Sequence, residues 1–288
     1  MRGYSPTGFR ILPPVVKNLL IINTLFFLAT LALRRYHIDL INILGLHYPG
    51  ASGFRIYQFI TYMFMHGGWA HIIFNMFALW MFGNVIENVW GGKKFLIFYM
   101  LTGLGSGIVY IFWIHFHLRA NLDMLNAIIS HPTVPGVEAY FHEYGFHLNA
   151  LTTTLSQSDL NLFNHNMNLI ASGSAVPTEI QQVISFLSTY KAEMMNQMVV
   201  IGASGAIFGL LLAFGVMFPN ERIFLIFLPI PIKAKWFVLG YGLYELFEGI
   251  SDRPGDNVAH FAHVGGLLVG LLIILYWKKK GHLFGPDM

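Results

Sequence analysis

Residues 199–218 read VVIGASGAIFGLLLAFGVMF, an uncharged run of twenty residues. That is about the length that an α-helix needs to cross the hydrocarbon core of a lipid bilayer. The run also carries Gly205 and Gly209 four residues apart, a spacing that lets a second helix approach the backbone closely. The stretch therefore predicts a membrane-spanning helix that packs tightly against a neighbouring helix.

The composition of the whole chain agrees with a location in the membrane. Of its 288 residues, 55% are hydrophobic and only 11% are charged, and the mean hydropathy is +0.58. Soluble domains are about 25% charged, and a soluble chain this apolar would expose large apolar patches to water. The chain is therefore predicted to be an integral, multi-pass membrane protein with the lipid bilayer as a partner.

Six apolar segments are long enough to cross the membrane. They are residues 16–34, 68–86, 95–115, 199–218, 234–250 and 258–277. Tyr244, Glu245 and Glu248 crowd the end of the fifth segment. Residues 223–231 are apolar but too few to cross the membrane, and their two prolines favour a loop or an interfacial segment. The predicted fold is all-α, a polytopic bundle of six transmembrane helices.

The basic residues predict the orientation of this bundle. An even number of spans places both termini on one side of the membrane, together with eleven basic residues, at positions 2, 10, 17, 93, 94, 222, 233, 235, 278, 279 and 280. The opposite side holds six, at positions 34, 35, 55, 119, 191 and 253. Cytoplasmic loops carry an excess of Lys and Arg, so both termini are predicted to be cytoplasmic.

A long insertion interrupts the pattern between the third and fourth spans. Residues 116–198 are polar to mixed in composition, and the topology places them on the non-cytoplasmic side. Within them, residues 177–196 predict a helix, because Pro177 suits a first turn and apolar residues follow at helical spacing. Residues 1–115 and 199–288, with three spans each, then form one membrane domain. The insertion either selects substrates or is a tolerated surface loop.

Several function classes are excluded by residue types. The chain has no cysteine, which rules out disulfides, iron–sulfur clusters and thiolate catalysis. The net charge of +3 and the pI near 9.0 come from basic residues beside apolar runs. That pattern is a topology signal and does not predict a nucleic-acid partner. A transporter is disfavoured because the spans lack buried charge pairs and repeated broken helices. Neither a cofactor nor a metal is predicted, although thirteen histidines are present.

Ser204 is the first candidate for chemistry, since polar residues inside apolar spans are costly and often functional. It stands within GASGAIFG at residues 202–209, where Gly202 and Gly205 leave the backbone around its hydroxyl bare. A nucleophile needs that access. The alternative is an ordinary membrane serine whose hydroxyl bonds a carbonyl one turn earlier. Phe208, one turn later, is placed either to stack on a histidine or to fill the core.

The sixth span opens with AHFAHVGG at residues 259–266 and offers a base. His263, Gly266 and Gly270 share one helical face, and the glycines again permit a close helix contact. The serine and the histidine can then meet, so that the imidazole takes the hydroxyl proton and passes it to the leaving group. His260 fits the helical spacing less well and ranks second as the base. No carboxylate in the spans is an evident third member, so a Ser–His dyad is predicted.

A third cluster, His66, His71 and Asn75, lies at the head of the second span. His71 and Asn75 are one turn apart and share a helical face. Their N–H groups suit the oxyanion of a tetrahedral intermediate, unless both side chains simply satisfy nearby backbone groups. All three clusters lie at the non-cytoplasmic ends of their spans. The site is therefore predicted to open to that side, from which water enters.

Three stretches together resemble the rhomboid family of intramembrane serine proteases. They are TYMFMHGGWAHIIFNMFALWMFG at 61–83, GASGAIFG at 202–209 and AHVGGLLVG at 262–270, in the family's order. The resemblance implies a six-helix protease that cleaves helical membrane proteins, with Ser204 as nucleophile and His263 as base, and single-span membrane proteins are the predicted substrates. It also implies an oxyanion hole formed by His71, Asn75 and the backbone N–H of Ser204.

The resemblance further gives His66 and Glu87 structural roles and leaves the insertion without a counterpart. Two positions depart from it, because many members have Trp–Arg at Tyr57–Gln58 and often Tyr at Phe208. Two rival functions stay open. A non-catalytic rhomboid-like protein would bind membrane clients, although the serine and the histidine are both present. A metalloprotease is disfavoured because the chain lacks a His-Glu-x-x-His motif and a carboxylate beside the histidines.

Overall fold

The protein is described by a computed structural model that covers residues 9–145, 155–225, 228–251 and 258–284 in detail. The chain divides into two compact units. Unit 1 comprises Met1–Leu46, Arg55–Tyr110 and Val200–Met288, and unit 2 comprises His47–Phe54 and Ile111–Val199.

Most of the described residues are helical. The helices are α1 (Pro14–Arg34), α2 (Leu40–Leu44), α3 (Gln58–Thr61), α4 (Trp69–Ala78), α5 (Asn84–Trp90), α6 (Gly92–Ser130), α7 (Val134–Tyr144), α8 (Gln157–Ala171), α9 (Pro177–Asn196), α10 (Ser204–Met217), α11 (Ala234–Ser251) and α12 (His260–Lys279). A 3₁₀ turn at Tyr62–Phe64 follows α3, and a π-helical turn at Leu79–Gly83 joins α4 to α5. The strands are β1 (Leu46–His47), β2 (Val199–Val200), β3 (Arg222–Leu225) and β4 (Leu228–Lys233).

Among the residues that the structure describes, four helical stretches are long and apolar enough to cross a membrane. They are Pro14–Arg34, Trp69–Trp90, Gly92–Ser130 and His260–Lys279, which correspond to the predicted first, second, third and sixth spans. α10 has only 14 residues, because extended backbone at Val199–Val200 precedes it and the helix begins at Ser204. α11 covers the predicted fifth span but carries Glu245 and Glu248. The total of six spans stays a prediction.

Glu87 ties the start of α1 to α5. Its carboxylate oxygens accept hydrogen bonds from the backbone N–H groups of Val15 and Val16, at 2.9 and 2.7 Å. These groups belong to the first turn of α1, where no intrahelical acceptor is available and the helix dipole favours a negative charge. Asn88 adds a reciprocal pair of hydrogen bonds with the backbone of Arg10. Glu87 therefore contacts a helix terminus, not the polar cluster described below.

α10 and α12 touch through their glycines. A Cβ atom at Gly266 would overlap the carbonyl oxygen of Gly205, and one at Gly270 would lie 3.1 Å from Cα of Gly209. Side chains at these positions would force the helices apart, so only glycine permits this approach. The close helix contacts predicted from the two glycine pairs are confirmed, and the pairs face each other.

The described part of the apolar run after α10 lies in two paired strands, where a loop or an interfacial segment was predicted. β3 and β4 pair antiparallel, with Arg222 opposite Lys233 and Ile223 opposite Ile232. Pro229 and Pro231 are two residues apart, so their backbone nitrogens face the same edge of β4. A two-stranded sheet tolerates proline at an edge that donates no ladder hydrogen bond. The prolines therefore do not prevent a strand here.

Unit 2 has its own apolar core, which residues from α6 to α9 build. The helix predicted at residues 177–196 is confirmed as α9. α6 continues to Ser130, 39 residues or about 58 Å in length, well past the predicted end of the third span. The buried core residues are Leu125, Ile128, Val137, Tyr140, Leu155, Phe163, Met167, Val183, Phe186, Leu187, Tyr190 and Met194. Within this core the rings of Phe163 and Phe186 stack with their centroids 4.3 Å apart.

Candidate active site

Ser204 is the first residue of α10, at the N-terminal end of a helix in unit 1. Its Oγ lies 2.8 Å from Nε2 of His263, a residue in the first turn of α12. The glycine contact between α10 and α12 allows this short distance, because no bulky side chain separates the two backbones. The structure therefore brings the predicted serine and histidine together.

A carboxylate of α11 joins this pair. Oε2 of Glu245 lies 2.8 Å from Nδ1 of His263 and 2.7 Å from Nδ1 of His260. Glu245 is only 2% exposed. The expectation that no carboxylate accompanies the histidines is therefore wrong. Spacing along the chain could not reveal the contact, because it depends on how α11 packs against α12.

The carboxylate decides which nitrogen of His263 carries the proton. An ionised carboxylate can only accept hydrogen bonds, so Nδ1–H of the histidine is the donor. A neutral His263 with its proton on Nδ1 leaves Nε2 as the acceptor for the hydroxyl proton of Ser204. This is the orientation that a general base needs towards its nucleophile.

Phe208 covers one face of the His263 ring. The two rings stack at an interplanar angle of 12°, with their centroids 4.4 Å apart. Tyr241 contacts Phe208 in turn, at a centroid distance of 4.9 Å. Stacking on Phe208 and hydrogen bonding to Glu245 together restrict rotation of the imidazole.

His71 lies against the backbone that leads into Ser204. A Cβ atom at Gly202 would lie 2.7 Å from Nε2 of His71 and 3.5 Å from Oγ of Ser204, and the φ angle of Gly202 is +123°. Close approach and positive φ both require glycine here. Nδ1 of His71 accepts a long, 3.4 Å hydrogen bond from the backbone N–H of Gly67. The proton of a neutral His71 is then on Nε2, the nitrogen beside Gly202.

Asn75 follows His71 by one turn of α4 and is 8% exposed. Its Nδ2 has no hydrogen-bond partner among the described residues. A buried donor without an acceptor costs free energy, and such a group in a native structure calls for an explanation. A bound oxygen that accepts this hydrogen bond would supply one. The alternative that Asn75 simply satisfies nearby backbone through Nδ2 finds no support here.

His66 packs its ring edge-on against His71, with centroids 5.0 Å apart. Burial, together with the nearby His71, lowers the pKa of His66 to about 4. His66 is therefore uncharged near neutral pH. Its ring contacts the His71 ring directly.

Glu245, His260 and His263 are also a group that could hold a metal ion, since one ligand atom of each lies within 4.8 Å of the others. Zinc ligands stand about 2.0–2.2 Å from the ion. The Nδ1 atoms of both histidines lie at hydrogen-bond distance from one carboxylate oxygen. A cation would have to replace both hydrogen-bond protons, so the three groups fit each other better as direct partners.

Sequence reasoning missed two polar side chains. Glu245 is the first, and the available signal was a carboxylate in an apolar segment, where a charge is costly. Ser106 of α6 is the second. Its hydroxyl donates a 2.6 Å hydrogen bond to the carbonyl of Ala262, and a Cβ atom at Gly205 would collide with it. Ser106 thus packs against both α10 and α12, and the available signal was again a polar residue inside an apolar span.

The sequence model of the Rhomboid domain family matches residues 53–119 and 174–280, more than half of the chain. The chain belongs to the rhomboid family. The matched ranges of this rhomboid chain contain Ser204, His263 and Glu245, and they leave out residues 120–173.

Short segments of the chain are similar to rhomboid proteins of known name. Rhomboid-like protein 11, chloroplastic, of Arabidopsis thaliana is 38% identical over 53 residues, which are 18% of this chain and 19% of that protein. Rhomboid protease GluP of Bacillus subtilis (strain 168) is 35% identical over 52 residues, 18% of this chain and 10% of that protein. Rhomboid protease GlpG of Salmonella newport (strain SL254) is 32% identical over 56 residues, 19% and 20% of the two chains. The chain thus spans at most about a fifth of the length of these relatives.

Proposed function

We propose that this rhomboid chain is an intramembrane serine endopeptidase that cleaves transmembrane segments of single-span membrane proteins. The observation that carries the proposal is the 2.8 Å separation of Ser204 Oγ and His263 Nε2 on two apolar helices. Family membership supports it, because two of the similar proteins are named as rhomboid proteases.

Hydrolysis then proceeds in two half-reactions. His263 Nε2 takes the proton of the Ser204 hydroxyl while Oγ attacks the carbonyl carbon of the peptide bond. When the tetrahedral intermediate collapses, the C–N bond breaks, His263 gives its proton to the departing amine, and an ester remains on Ser204. A water molecule that His263 deprotonates attacks this ester. The carboxylic acid leaves as Ser204 regains its proton.

The negative charge of each tetrahedral intermediate needs donors placed beforehand. Nε2–H of His71 and Nδ2–H of Asn75 are the side-chain donors in this proposal. The backbone N–H of Ser204 is the third, because the first N–H groups of a helix lack intrahelical acceptors and carry the positive end of the dipole. Nδ2 of Asn75, which has no hydrogen-bond partner within the described ranges, supports this role.

The proposed site lies below a membrane surface. α10 is apolar and its 14 residues span about 21 Å, less than the roughly 30 Å of the hydrocarbon core. A helix of this length cannot reach both surfaces of the bilayer, and in this proposal its first residue, Ser204, is the end that lies inside. By the charge distribution, the termini are cytoplasmic and the site opens to the other side. Cysteines introduced singly into this cysteine-free chain test the orientation, and labelling of Lys279→Cys from the non-cytoplasmic face would refute it.

Ser204→Ala tests the proposal directly. We expect cleavage of a panel of single-span membrane proteins to fall to background while thermal stability stays nearly unchanged, because the substitution removes one oxygen atom. Ser251→Ala is the matched control, since Ser251 is an exposed serine whose hydroxyl donates to the carbonyl of Phe247 in its own helix. Cleavage by Ser204→Ala at the wild-type rate would exclude the serine mechanism.

The cluster of Glu245, His260 and His263 has the residue types of a metal site and makes a metalloprotease the second candidate function. The same substrate panel separates the two. A serine protease is labelled at Ser204 by a fluorophosphonate and keeps its activity in a chelator, whereas a metalloprotease loses activity in the chelator. A non-catalytic client-binding protein would retain substrates without cleaving them in either condition.

A further inference from the structure

Glu245 is the buried hydrogen-bond acceptor that links two histidines of α12. We propose that Glu245 is a positioning residue for His263, and that His260 holds Glu245 in place through a second hydrogen bond to the same oxygen. For its effect on catalysis this inference rests on the proposed function. The arrangement of the three side chains can be tested without activity.

The burial of Glu245 is the first step of the argument. A carboxylate that is 2% exposed loses the hydration that stabilises its charge, and it persists there only with strong compensating hydrogen bonds. Two N–H donors at 2.7 and 2.8 Å provide that compensation. Removal of either donor weakens the anchoring of the carboxylate to α12.

The packing of α11 against α12 is the second step. Gly249 follows Glu245 by one helical turn, and a Cβ atom there would lie 2.8 Å from Cε2 of Phe261 and 3.2 Å from Cβ of His260. The glycine therefore lets the two helices approach closely at this level. His260 and His263 are three residues apart, so both side chains project from one face of α12 towards the same carboxylate.

The consequence for His263 is the third step. Because Oε2 accepts from Nδ1, the imidazole can neither flip nor take the other tautomer without leaving a buried carboxylate short of a donor. Nε2 thus stays directed at Ser204. During proton transfer His263 becomes a cation, and the nearby carboxylate stabilises this charge at the moment it forms.

Kinetics of Glu245→Gln provide the first test. An amide in place of the carboxylate costs a soluble Ser-His-Asp triad about 10⁴-fold in kcat, because the wrong tautomer is favoured. We expect a smaller loss here, on the order of 10²-fold, since stacking on Phe208 still holds the ring. KM should stay within about threefold, because substrate contacts are unchanged.

Glu248→Gln is the matched control, since it neutralises a second buried carboxylate of α11, 7% exposed, and leaves the Glu245–His263 hydrogen bond in place. The inference predicts near-wild-type kcat for this control. Equal losses of kcat in both variants would show a general need for buried carboxylates and would overturn the proposal. Unchanged kcat in Glu245→Gln would overturn it as well.

Nuclear magnetic resonance of protein labelled with ¹⁵N-histidine reads the tautomers without any substrate. The inference predicts that His260 and His263 of the wild type carry their protons on Nδ1 at neutral pH. In Glu245→Gln the Nδ1–H signal of His263 should shift or disappear, whereas in Glu248→Gln it should persist. A wild-type His263 protonated only on Nε2 would refute the positioning role, whatever the outcome for Ser204→Ala.

His260 offers a conservative rescue. An asparagine has its amide nitrogen three bonds from Cα, as Nδ1 of histidine is, so His260→Asn keeps a donor to Glu245 whereas His260→Ala does not. We expect kcat to fall about tenfold in His260→Ala, the effect of losing one hydrogen bond to a charged group. In His260→Asn, which keeps that hydrogen bond, kcat should stay within about threefold of wild type. Equal losses in both variants would contradict the role of His260.

A metal readout completes the test. Wild-type protein is dialysed against EDTA and then supplied with ZnCl₂. Unchanged cleavage and unchanged histidine signals support direct hydrogen bonds between the three side chains. Activity lost in EDTA and restored by zinc would make the cluster a metal site and would overturn the positioning proposal.

Discussion

At the scale of single residues, the candidate site depends on hydrogen bonds in which only one of the two partners can be the donor. Glu245 only accepts, so His263 donates from Nδ1 and accepts at Nε2. Gly67 donates to Nδ1 of His71, so the opposite nitrogen is the donor. The carboxylate of Glu245 thus orients the His263 ring, and the backbone N–H of Gly67 orients the His71 ring, in the way that the proposed roles of base and oxyanion donor require.

The proposed roles of His71 and Asn75 as oxyanion donors can be tested by single substitutions. We expect His71→Ala and Asn75→Ala each to lower kcat on the order of 10²-fold, the typical loss for one oxyanion donor. His165→Ala and Asn164→Ala are matched controls on the exposed side of α8. Steady-state cleavage of one membrane substrate in detergent measures the effect. If neither His71→Ala nor Asn75→Ala slows turnover, only backbone donors serve the intermediate.

The residue types alone were enough to select Ser204, His263, His71 and Asn75, because each is a polar group that an apolar segment accommodates only at a cost. Glu245 met the same criterion, but it stands with Tyr244 and Glu248 in a crowded group at the end of the fifth segment, far along the chain from every histidine of the other clusters. The structure buries it against α12. The partner of a side chain on a different helix depends on tertiary packing, which spacing within one helix does not contain.

At the scale of elements, the contact between α10 and α12 sets the geometry of the site. We expect Gly266→Ala to abolish cleavage and to lower the free energy of unfolding by about 1–3 kcal/mol, as overpacking typically does. The added methyl group would overlap the carbonyl oxygen of Gly205 and separate Ser204 from His263.

Gly240→Ala is the control for that substitution. Gly240 lies on the exposed side of α11, and a Cβ atom there has no neighbour within 4 Å. This variant should be as stable as the wild type or slightly more so, because alanine favours helix by up to about 1 kcal/mol. Thermal unfolding in detergent and cleavage of one substrate distinguish the two glycines. Wild-type stability and activity in Gly266→Ala would contradict the packing argument.

Helices were predictable from the sequence where a hydrophobic run or a helical spacing of apolar residues continues over many residues. Four apolar spans and α9 follow from hydrophobic runs and helical spacing. The hairpin of β3 and β4 was not predicted, because two prolines in an apolar run indicate a loop unless the strand has a free edge. The start of α10 at Ser204 was also missed, since Val199–Val200 is as apolar as the helix that follows.

At the scale of the whole molecule, unit 2 contains an apolar core of its own, which the C-terminal part of α6 builds together with residues from α7, α8 and α9. α9 buries Val183, Leu187 and Tyr190 against residues of α6, α7 and α8. A linker that replaced only residues 120–176 would expose that face of α9. The informative variant replaces residues 116–198 as one piece.

We predict that a Gly/Ser linker in place of residues 116–198 changes which membrane proteins are cleaved, while a small fluorophosphonate still labels Ser204. The chain order motivates this prediction, because α9 leads almost directly into the segment that begins α10. The control is the full-length chain with the substitution Ser188→Ala, at an exposed position of α9. Unchanged preference across the substrate panel would leave the insertion as a tolerated loop.

The meeting of Gly205 and Gly266 has a consequence for the response of the site to heat. Backbone contacts backbone there, so no long side chain that could change rotamer separates the two helices that carry Ser204 and His263. Local opening then needs the two helices to part, which belongs to the cooperative melting of the surrounding unit and not to a fraying segment. Loss of activity and loss of helicity should follow one temperature curve.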